Sequence, residues 1–126
     1  MKKMFVLCMA MSLLLSVTSV SADDSVSEAV TGYGTLSGYI NQLPFISTSV
    51  TKNNDNAYLT YELEIQDILG NRLKVGEDNS RRGAKLITAD LGYAGEKAKN
   101  IYGSHGVRGG RTYGAAAIYT YTKADY

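Results

Sequence analysis

Apolar and polar residues alternate along residues 57–65, and this stretch carries the clearest structural signal in the chain. One set of positions holds Ala57, Leu59, Tyr61, Leu63 and Ile65, and the positions between them hold Tyr58, Thr60, Glu62 and Glu64. Successive side chains of a β-strand point to opposite faces, so the alternation predicts a strand with one buried and one solvated face. Strands of this kind are typical of antiparallel sheets.

Similar patterns predict further strands in most of the chain after residue 32. These strands are expected at residues 33–40, 45–52, 72–75, 84–91 and 112–122. Residues 53–56 are all Asn or Asp and favour a turn, so the strands on either side of them are predicted to form a hairpin. About six strands with hardly any helical periodicity predict an all-β domain, either a small antiparallel β-sandwich or a small barrel.

Four stretches lack a clear strand pattern. Residues 23–32 are polar and are predicted to be a flexible N-terminal arm, whereas residues 76–83 are predicted to be a mobile loop. The glycine-rich residues 103–110 are predicted to be irregular. Residues 94–101 combine helix-favouring and strand-favouring side chains, so both alternatives stay open. Glycines also occur within residues 33–40, where they would let a bulky ring or another backbone approach closely.

Residues 1–22 have the three-part pattern of a secretory signal peptide. Lys2 and Lys3 precede an apolar run, and small or polar residues end at Ala22, which predicts cleavage before Asp23. The apolar run is shorter than the roughly 20 residues that a membrane-spanning helix needs, which argues against a retained anchor. We therefore expect a secreted, extracellular protein with one β domain over residues 33–126.

Removal of the signal peptide leaves a cysteine-free chain with an uneven charge distribution. Cys8 is the single cysteine and leaves with the signal, so neither disulfides nor thiolate metal sites are expected. Residues 23–80 hold nine acidic and three basic side chains, and residues 81–126 hold eight basic and three acidic ones. Contacts between oppositely charged strands would explain this asymmetry. We prefer that explanation to a basic patch that binds nucleic acid or an anionic wall polymer.

Candidates for catalysis are few. His105 is the only histidine, and the adjacent Ser104 does not make a catalytic pair, because triads are assembled in space. Glu62 and Glu64 lie about 7 Å apart on one strand face and are interpreted as solvated charges rather than a glycosidase pair. Residues 54–56 lack the pattern of a calcium-binding loop. The sequence therefore predicts no enzyme, no cofactor and no metal site.

Tyrosine is the unusual component of the composition. The chain has ten Tyr but two Phe and no Trp. Tyr113, Tyr119 and Tyr121 are predicted on one face of the last strand. If they are exposed, their rings are suited to stacking on sugars or gripping a protein partner. If they face the second sheet, they belong to the core.

The glycine-rich stretch supplies a second set of candidate binding residues. His105, Arg108 and Arg111 would offer hydrogen-bond donors to an anionic group on a backbone that a ligand can approach closely. The alternative interpretation is an exposed connection between strands.

Short motifs resemble a known family. Tyr33-Gly34-Thr35, Arg82-Gly83-Ala84 before a strand and the terminal Tyr/Ala/Thr strand, with the signal peptide, are similar in layout to the lactococcin-like bacteriocins. The mature chain also resembles small secreted, cysteine-poor β proteins of Gram-positive bacteria. The bacteriocin resemblance implies a small β-sandwich that acts on cell-wall synthesis, and it assigns no functional residue.

Two functions are consistent with these observations. The leading hypothesis is a non-enzymatic extracellular β domain that binds a cell-wall polymer, a glycan or a surface protein. The alternative is a secreted lactococcin-like bacteriocin that acts on the cell envelope of related bacteria. The sequence leaves the oligomeric state open.

Overall fold

Residues 23–124 are described by a computed structural model, in which they form eight β-strands and no helix. The strands are β1 (Asp23–Val30), β2 (Gly34–Asn41), β3 (Phe45–Val50), β4 (Tyr58–Gln66), β5 (Arg72–Asn79), β6 (Leu86–Asp90), β7 (Asn100–Arg108) and β8 (Ala116–Lys123). All pairings are antiparallel, so the predicted all-β class is confirmed, although the strand number exceeds the expected six. The predicted signal peptide, residues 1–22, lies outside the described residues.

The strands form two four-stranded sheets. The first sheet has the order β1-β2-β3-β6, and the second has the order β5-β4-β7-β8. The predicted hairpin is wrong, because β3 and β4 belong to different sheets and residues 51–57 cross between them. Asn53 is buried in this crossing, where its Nδ2 donates to the carbonyls of Ala57 (3.0 Å) and Ala84 (2.8 Å). The Asn53 side chain therefore forms hydrogen bonds with buried backbone groups and is not part of a hairpin turn.

The alternating pattern of residues 57–65 builds the core, as predicted. Leu59, Leu63 and Ile65 of β4 are at most 1% exposed, whereas Glu62 between them is exposed. They pack in two clusters with inward-facing residues of the first sheet, which include Leu36, Ile40, Ile46 and Val50. Each fully buried aliphatic side chain contributes about 1.5–3 kcal/mol. The core therefore lies between the sheets and leaves both outer faces to solvent.

Three stretches that were predicted to lack strand structure belong to strands. Residues 23–30 are not a loose arm, because β1 pairs with β2 from Asp23 opposite Asn41 to Val30 opposite Gly34. Residues 76–79 extend β5, and residues 103–108 belong to β7 in the middle of the second sheet. Glycine weakens a strand pattern in the sequence. In the folded chain, neighbouring side chains occupy the space that these glycines leave free.

The part of the predicted mobile loop that lies outside β5 is tied to the domain by Arg82. Its guanidinium donates to the carbonyls of Asn56 (3.1 Å) and Gly109 (2.9 Å) and to the hydroxyl of Tyr58 (2.9 Å). The same group lies 4.3 Å from the centre of the Tyr58 ring, a cation–π contact. In the other uncertain stretch, residues 94–99 lie outside the strands and β7 begins at Asn100.

Candidate functional site

The outer face of the second sheet brings tyrosines and glutamates together in cross-strand rows. One row runs across β5, β4, β7 and β8 as Glu77, Glu62, Ser104 and Tyr119. The next row runs in the same order as Val75, Glu64, Tyr102 and Tyr121. Neighbouring strands are about 4.8 Å apart, so each row spans about 14 Å. This width is sufficient to contact an extended ligand at several points.

Three tyrosine rings form the aromatic part of this face. Tyr119 is 66% exposed, and Tyr102 and Tyr121 are 41% and 42% exposed. The rings of Tyr102 and Tyr121 have centres 5.1 Å apart, and the Tyr121 hydroxyl donates to Asn100 Oδ1 at 2.6 Å. Partial burial, and then the neighbouring Tyr102, raise the pKa of Tyr121. Tyr121 is therefore neutral at physiological pH and can donate or accept a hydrogen bond.

Two adjoining depressions run along the same face. The larger has a volume of about 620 Å³ and is lined by Thr60, Gly106 and Arg108, among others. The smaller has a volume of about 320 Å³ and extends toward Tyr102 and Tyr119. Both are lined by Glu62, Glu77 and Ser104, so they meet at the first row. A Cβ at Gly106 would lie 2.7 Å from Thr60 Oγ1, so close packing across β4 and β7 favours glycine there.

The glutamates of this face differ in their surroundings. Glu64 pairs with Arg72 of β5, whose Nε lies 3.2 Å from Oε1 of the glutamate. Glu62 and Glu77 stand opposite each other without an ion-pair or hydrogen-bond partner among residues 23–124. Both members of the Arg72–Glu64 pair come from the acidic half of the chain. Among residues 23–124, no ion pair joins a glutamate of this face to a base of the second half, although Arg108 and Lys123 of that half lie on the same face.

His105 lies in the core and not in an exposed connection. Its side chain is fully buried, with Nδ1 3.1 Å from Thr48 Oγ1 and Nε2 2.7 Å from Thr120 Oγ1. Burial lowers the pKa of His105 to about 4, although a hydrogen bond with the Ser47 backbone opposes the shift. A Cβ at Gly38 would lie 2.3 Å from the imidazole, so a ring does approach this glycine, as the sequence predicted. His105 is not accessible to a ligand on the surface.

The other predicted binding residues are divided between two places. Arg108 lines the larger depression, on the same face as Tyr119 and Tyr121. Arg111 and Tyr113 lie in the segment before β8, because that strand begins at Ala116 and not at the expected position 112. The Tyr113 ring packs edge-on against Tyr33, with ring centres 5.9 Å apart. The predicted three-tyrosine strand face is therefore corrected, since Tyr113 is not part of it.

Asp55 anchors the segment that contains Tyr113. Its carboxylate accepts hydrogen bonds from the Tyr33 hydroxyl (2.9 Å) and from the backbone N–H groups of Thr112 (2.9 Å) and Tyr113 (2.9 Å). Burial favours the neutral carboxyl, but these hydrogen bonds outweigh it and lower the pKa of Asp55 to about 2. The sequence marked Asp55 as a turn residue and gave no sign of this long-range role. Tyr113 accordingly belongs to a structural contact.

The prediction missed two important residues of the face, Tyr102 and Glu77. Glu77 was assigned to a mobile loop, and Tyr102 lay between two stretches without a definite strand, although Tyr102, Ser104 and Arg108 recur at even positions of β7. That period of two was the available signal. The intervening glycines obscured it, because they have no side chain to mark a buried position.

Comparisons with known proteins give no assignment for this arrangement. No protein-family model, no curated protein and no solved structure matches the chain. Within residues 23–124, no cluster of His, Cys, Asp and Glu side chains is suited to hold a metal ion. The same residues form no helix of the length and hydrophobicity needed to cross a membrane. The fold and the face together define an all-β domain with an open aromatic and acidic sheet face.

Proposed function

We propose that this protein is a small secreted β-sandwich domain that binds a cell-surface glycan on the outer face of its second sheet, without catalysis. The observation that carries the proposal is the group of exposed rings of Tyr102, Tyr119 and Tyr121 beside two open depressions. The signal-peptide pattern of residues 1–22 supports export.

A sheet face favours a ligand that is recognised by side chains. The backbone N–H and C=O groups of β4 and β7 are used in ladders on both sides. A tyrosine combines a flat apolar ring with a polar hydroxyl, and a sugar ring likewise combines apolar C–H surfaces with hydroxyls. Ser104 adds a hydroxyl group between Glu62 and Tyr119, and Thr60 adds another in the larger depression. These groups together suit a polyhydroxylated chain.

The arrangement of acids and bases supports binding without catalysis. Glycoside hydrolysis requires one carboxyl group that is kept protonated as a general acid. Glu62 and Glu77 are both exposed on an open face. His105, the only imidazole of the chain, is buried between the sheets. A hydrolytic arrangement therefore has no support on this face.

A glycan-binding screen tests the proposal. The protein, expressed as the full chain and purified from the culture medium, is screened against cell-wall fragments and defined glycans, and the affinity for each hit is measured by calorimetry. Replacement of both Tyr119 and Tyr121 by Ala should weaken binding about tenfold, since each aromatic contact contributes about 0.5–1.5 kcal/mol.

The matched control is Tyr39→Ala on the outer face of the first sheet. Tyr39 is half-buried and packs near Phe45, with ring centres 6.1 Å apart. This variant should bind as the wild type does. Unchanged affinity in the Tyr119→Ala/Tyr121→Ala variant would contradict the proposal. Growth inhibition of Gram-positive bacteria by the same preparation, without glycan binding, would favour the bacteriocin instead.

A further inference from the structure

Glu62 and Glu77 occupy the point where the two depressions of the second sheet meet. They are direct partners in the β4–β5 ladder, both are exposed, and both line each depression. Neither has an ion-pair or hydrogen-bond partner within the described part of the chain, whereas the neighbouring Glu64 is paired with Arg72. In the free protein, two adjacent carboxylates therefore lie at the centre of the proposed binding face.

The fold does not require two negative charges at this place. Like charges directly opposite each other destabilise a sheet. The next row of the same two strands has the neutral pair Thr60 and Asn79 in equivalent positions. Three basic residues of the described chain lie on this face, but none is paired with Glu62 or Glu77. Arg72 is bound to Glu64, and Lys123 is four residues along β8 from Tyr119. Arg108 stands opposite Tyr58, four residues along β4 from Glu62 and thus about 13 Å away along the strand. A cationic ligand would supply a compensating charge at Glu62 and Glu77, which have no cationic partner among residues 23–124.

We infer that the glycan carries free amino groups, so that the ligand is a positively charged amino-sugar polymer. This inference rests on the proposed function. An ammonium group between Glu62 and Glu77 would form charge-assisted hydrogen bonds with both carboxylates. Tyr119 stands in the same row, two strands from Glu62 and so about 10 Å away. Consecutive sugar units can therefore contact the carboxylates and the ring.

A sugar polymer fits this position better than a basic peptide does. Extended peptides commonly bind to sheets by adding a strand at an edge, where main-chain groups are free. Glu62 lies on β4, which is paired with β5 on one side and β7 on the other. A peptide on this face would have no main-chain hydrogen bonds to the sheet, and the exposed rings of Tyr102 and Tyr119 favour flat sugar surfaces.

The test compares two hexasaccharides that differ only in acetylation. The protein purified from culture medium is titrated with the hexamer of glucosamine and with the hexamer of N-acetylglucosamine, in low salt at mildly acidic pH. The glucosamine hexamer should bind about tenfold more tightly, a difference of about 1.4 kcal/mol. Added salt should reduce this preference, since exposed charges are screened.

Variants identify the groups that confer the preference. The double variant Glu62→Gln/Glu77→Gln should lose the preference and keep the affinity for the N-acetylated hexamer. Glu96→Gln is the matched control, because Glu96 is exposed and lies outside the strands. It should leave both affinities unchanged. A preference that persists in the double variant would overturn the role of the two glutamates.

Failure of this inference can be distinguished from failure of the proposed function. Equal affinity for the two hexamers, or tyrosine-dependent binding of other glycans only, would overturn the amino-sugar inference and leave the glycan-binding face in place. Absence of any glycan binding that depends on Tyr119 and Tyr121 would overturn both. A lysine hexapeptide that binds as tightly as the glucosamine hexamer would identify a basic peptide as the ligand and also overturn the inference.

Discussion

The outer faces of the two sheets cover the same core but differ in their chemistry. Short hydroxyl side chains dominate the face of the first sheet, at Ser25, Ser27, Thr35, Ser37, Ser47, Ser49 and Thr88. Ser27 and Ser37 hydrogen-bond each other, with their Oγ atoms 2.9 Å apart. The face of the second sheet has the exposed rings and the uncompensated glutamates.

The aromatic residues of the two faces show the difference most clearly. The Tyr39 hydroxyl on the first sheet accepts a hydrogen bond from Asn41 Nδ2 at 3.3 Å and is half-buried. Tyr119 on the second sheet is 66% exposed, and its hydroxyl has no hydrogen-bond partner among residues 23–124. An alternating strand needs only small polar residues on its outer face. The large side chains of the second sheet are therefore additional to what folding requires.

Gly38→Val should have the largest effect, because it destabilises the core that supports the outer faces of both sheets. A Cβ at this position would lie 2.3 Å from the His105 ring, which is hydrogen-bonded between Thr48 and Thr120. Overpacking and the loss of buried hydrogen bonds should lower the free energy of unfolding by about 4 kcal/mol. Urea denaturation followed by circular dichroism measures the loss.

Gly114→Ala is the control for this change. Nothing lies within 4 Å of a Cβ at Gly114. The free energy of unfolding should change by less than about 0.5 kcal/mol, as is usual for surface substitutions. A similar loss in both variants would show that the contact between Gly38 and His105 is not the cause.

Acidification should weaken the core through His105. Its pKa is lowered from 6.5 to about 4 in the folded state, so the unfolded state binds the proton more readily. The stabilising contribution is fully present above pH 6.5 and is lost as the pH falls toward 4. The total loss is about 3 kcal/mol, at 1.36 kcal/mol for each pKa unit. Urea denaturation at a series of pH values measures this slope.

An NMR titration provides an independent check, because His105 is the only imidazole in the chain. A ring that titrates near 6.5 would contradict its burial.

The contribution of Asp55 to stability is lost in a lower pH range. Its pKa is lowered from 3.8 to about 2, so its contribution is present above pH 3.8 and is lost as the pH falls toward 2. The two losses should therefore appear as separate steps.

Glu62→Gln should produce the smallest effect. It shows whether Glu62 on the outer face of the second sheet contributes to the stability of the domain or to ligand binding. Removal of one of two opposed like charges should raise the free energy of unfolding by about 0.2–1 kcal/mol, while the affinity for a cationic glycan should fall. Ser47→Ala on the first sheet should leave binding unchanged. A variant that lost both stability and affinity would indicate that Glu62 has a structural role.

The sequence predicted the class of the fold better than its connections. The alternation of residues 57–65 identified β4 and its buried face, because strand burial depends on local pattern. The return of the chain at residues 69–71 into a strand at residues 72–75 was predicted and is found in the β4–β5 pair. The pairing of β4 with β7 was not predicted, since the turn-forming residues 53–56 indicate a reversal but not which strands become neighbours. Strand pairing is a long-range property that local propensities do not encode.

The candidate site was predicted in part for a related reason. Tyr119 and Tyr121 were recognised because their strand has a regular pattern. His105 was interpreted either as a binding residue or as part of an exposed connection, because glycines surround it. In the structure, Gly38 and Gly103 leave room for its ring and for Thr120. A glycine that accommodates a neighbour from another strand cannot be distinguished in the sequence from a glycine in a loop.

The hydrogen bond between Asp24 and the backbone of Tyr121 has a consequence for self-association. β8 is an edge strand of its sheet, and exposed edges of this kind recruit strands from other molecules. The Asp24 carboxylate accepts the N–H of Tyr121 at 2.9 Å, so a charged side chain of β1 occupies a donor that a second molecule would need. A second copy of the protein that approached this edge would therefore find the Tyr121 N–H already hydrogen-bonded within the domain.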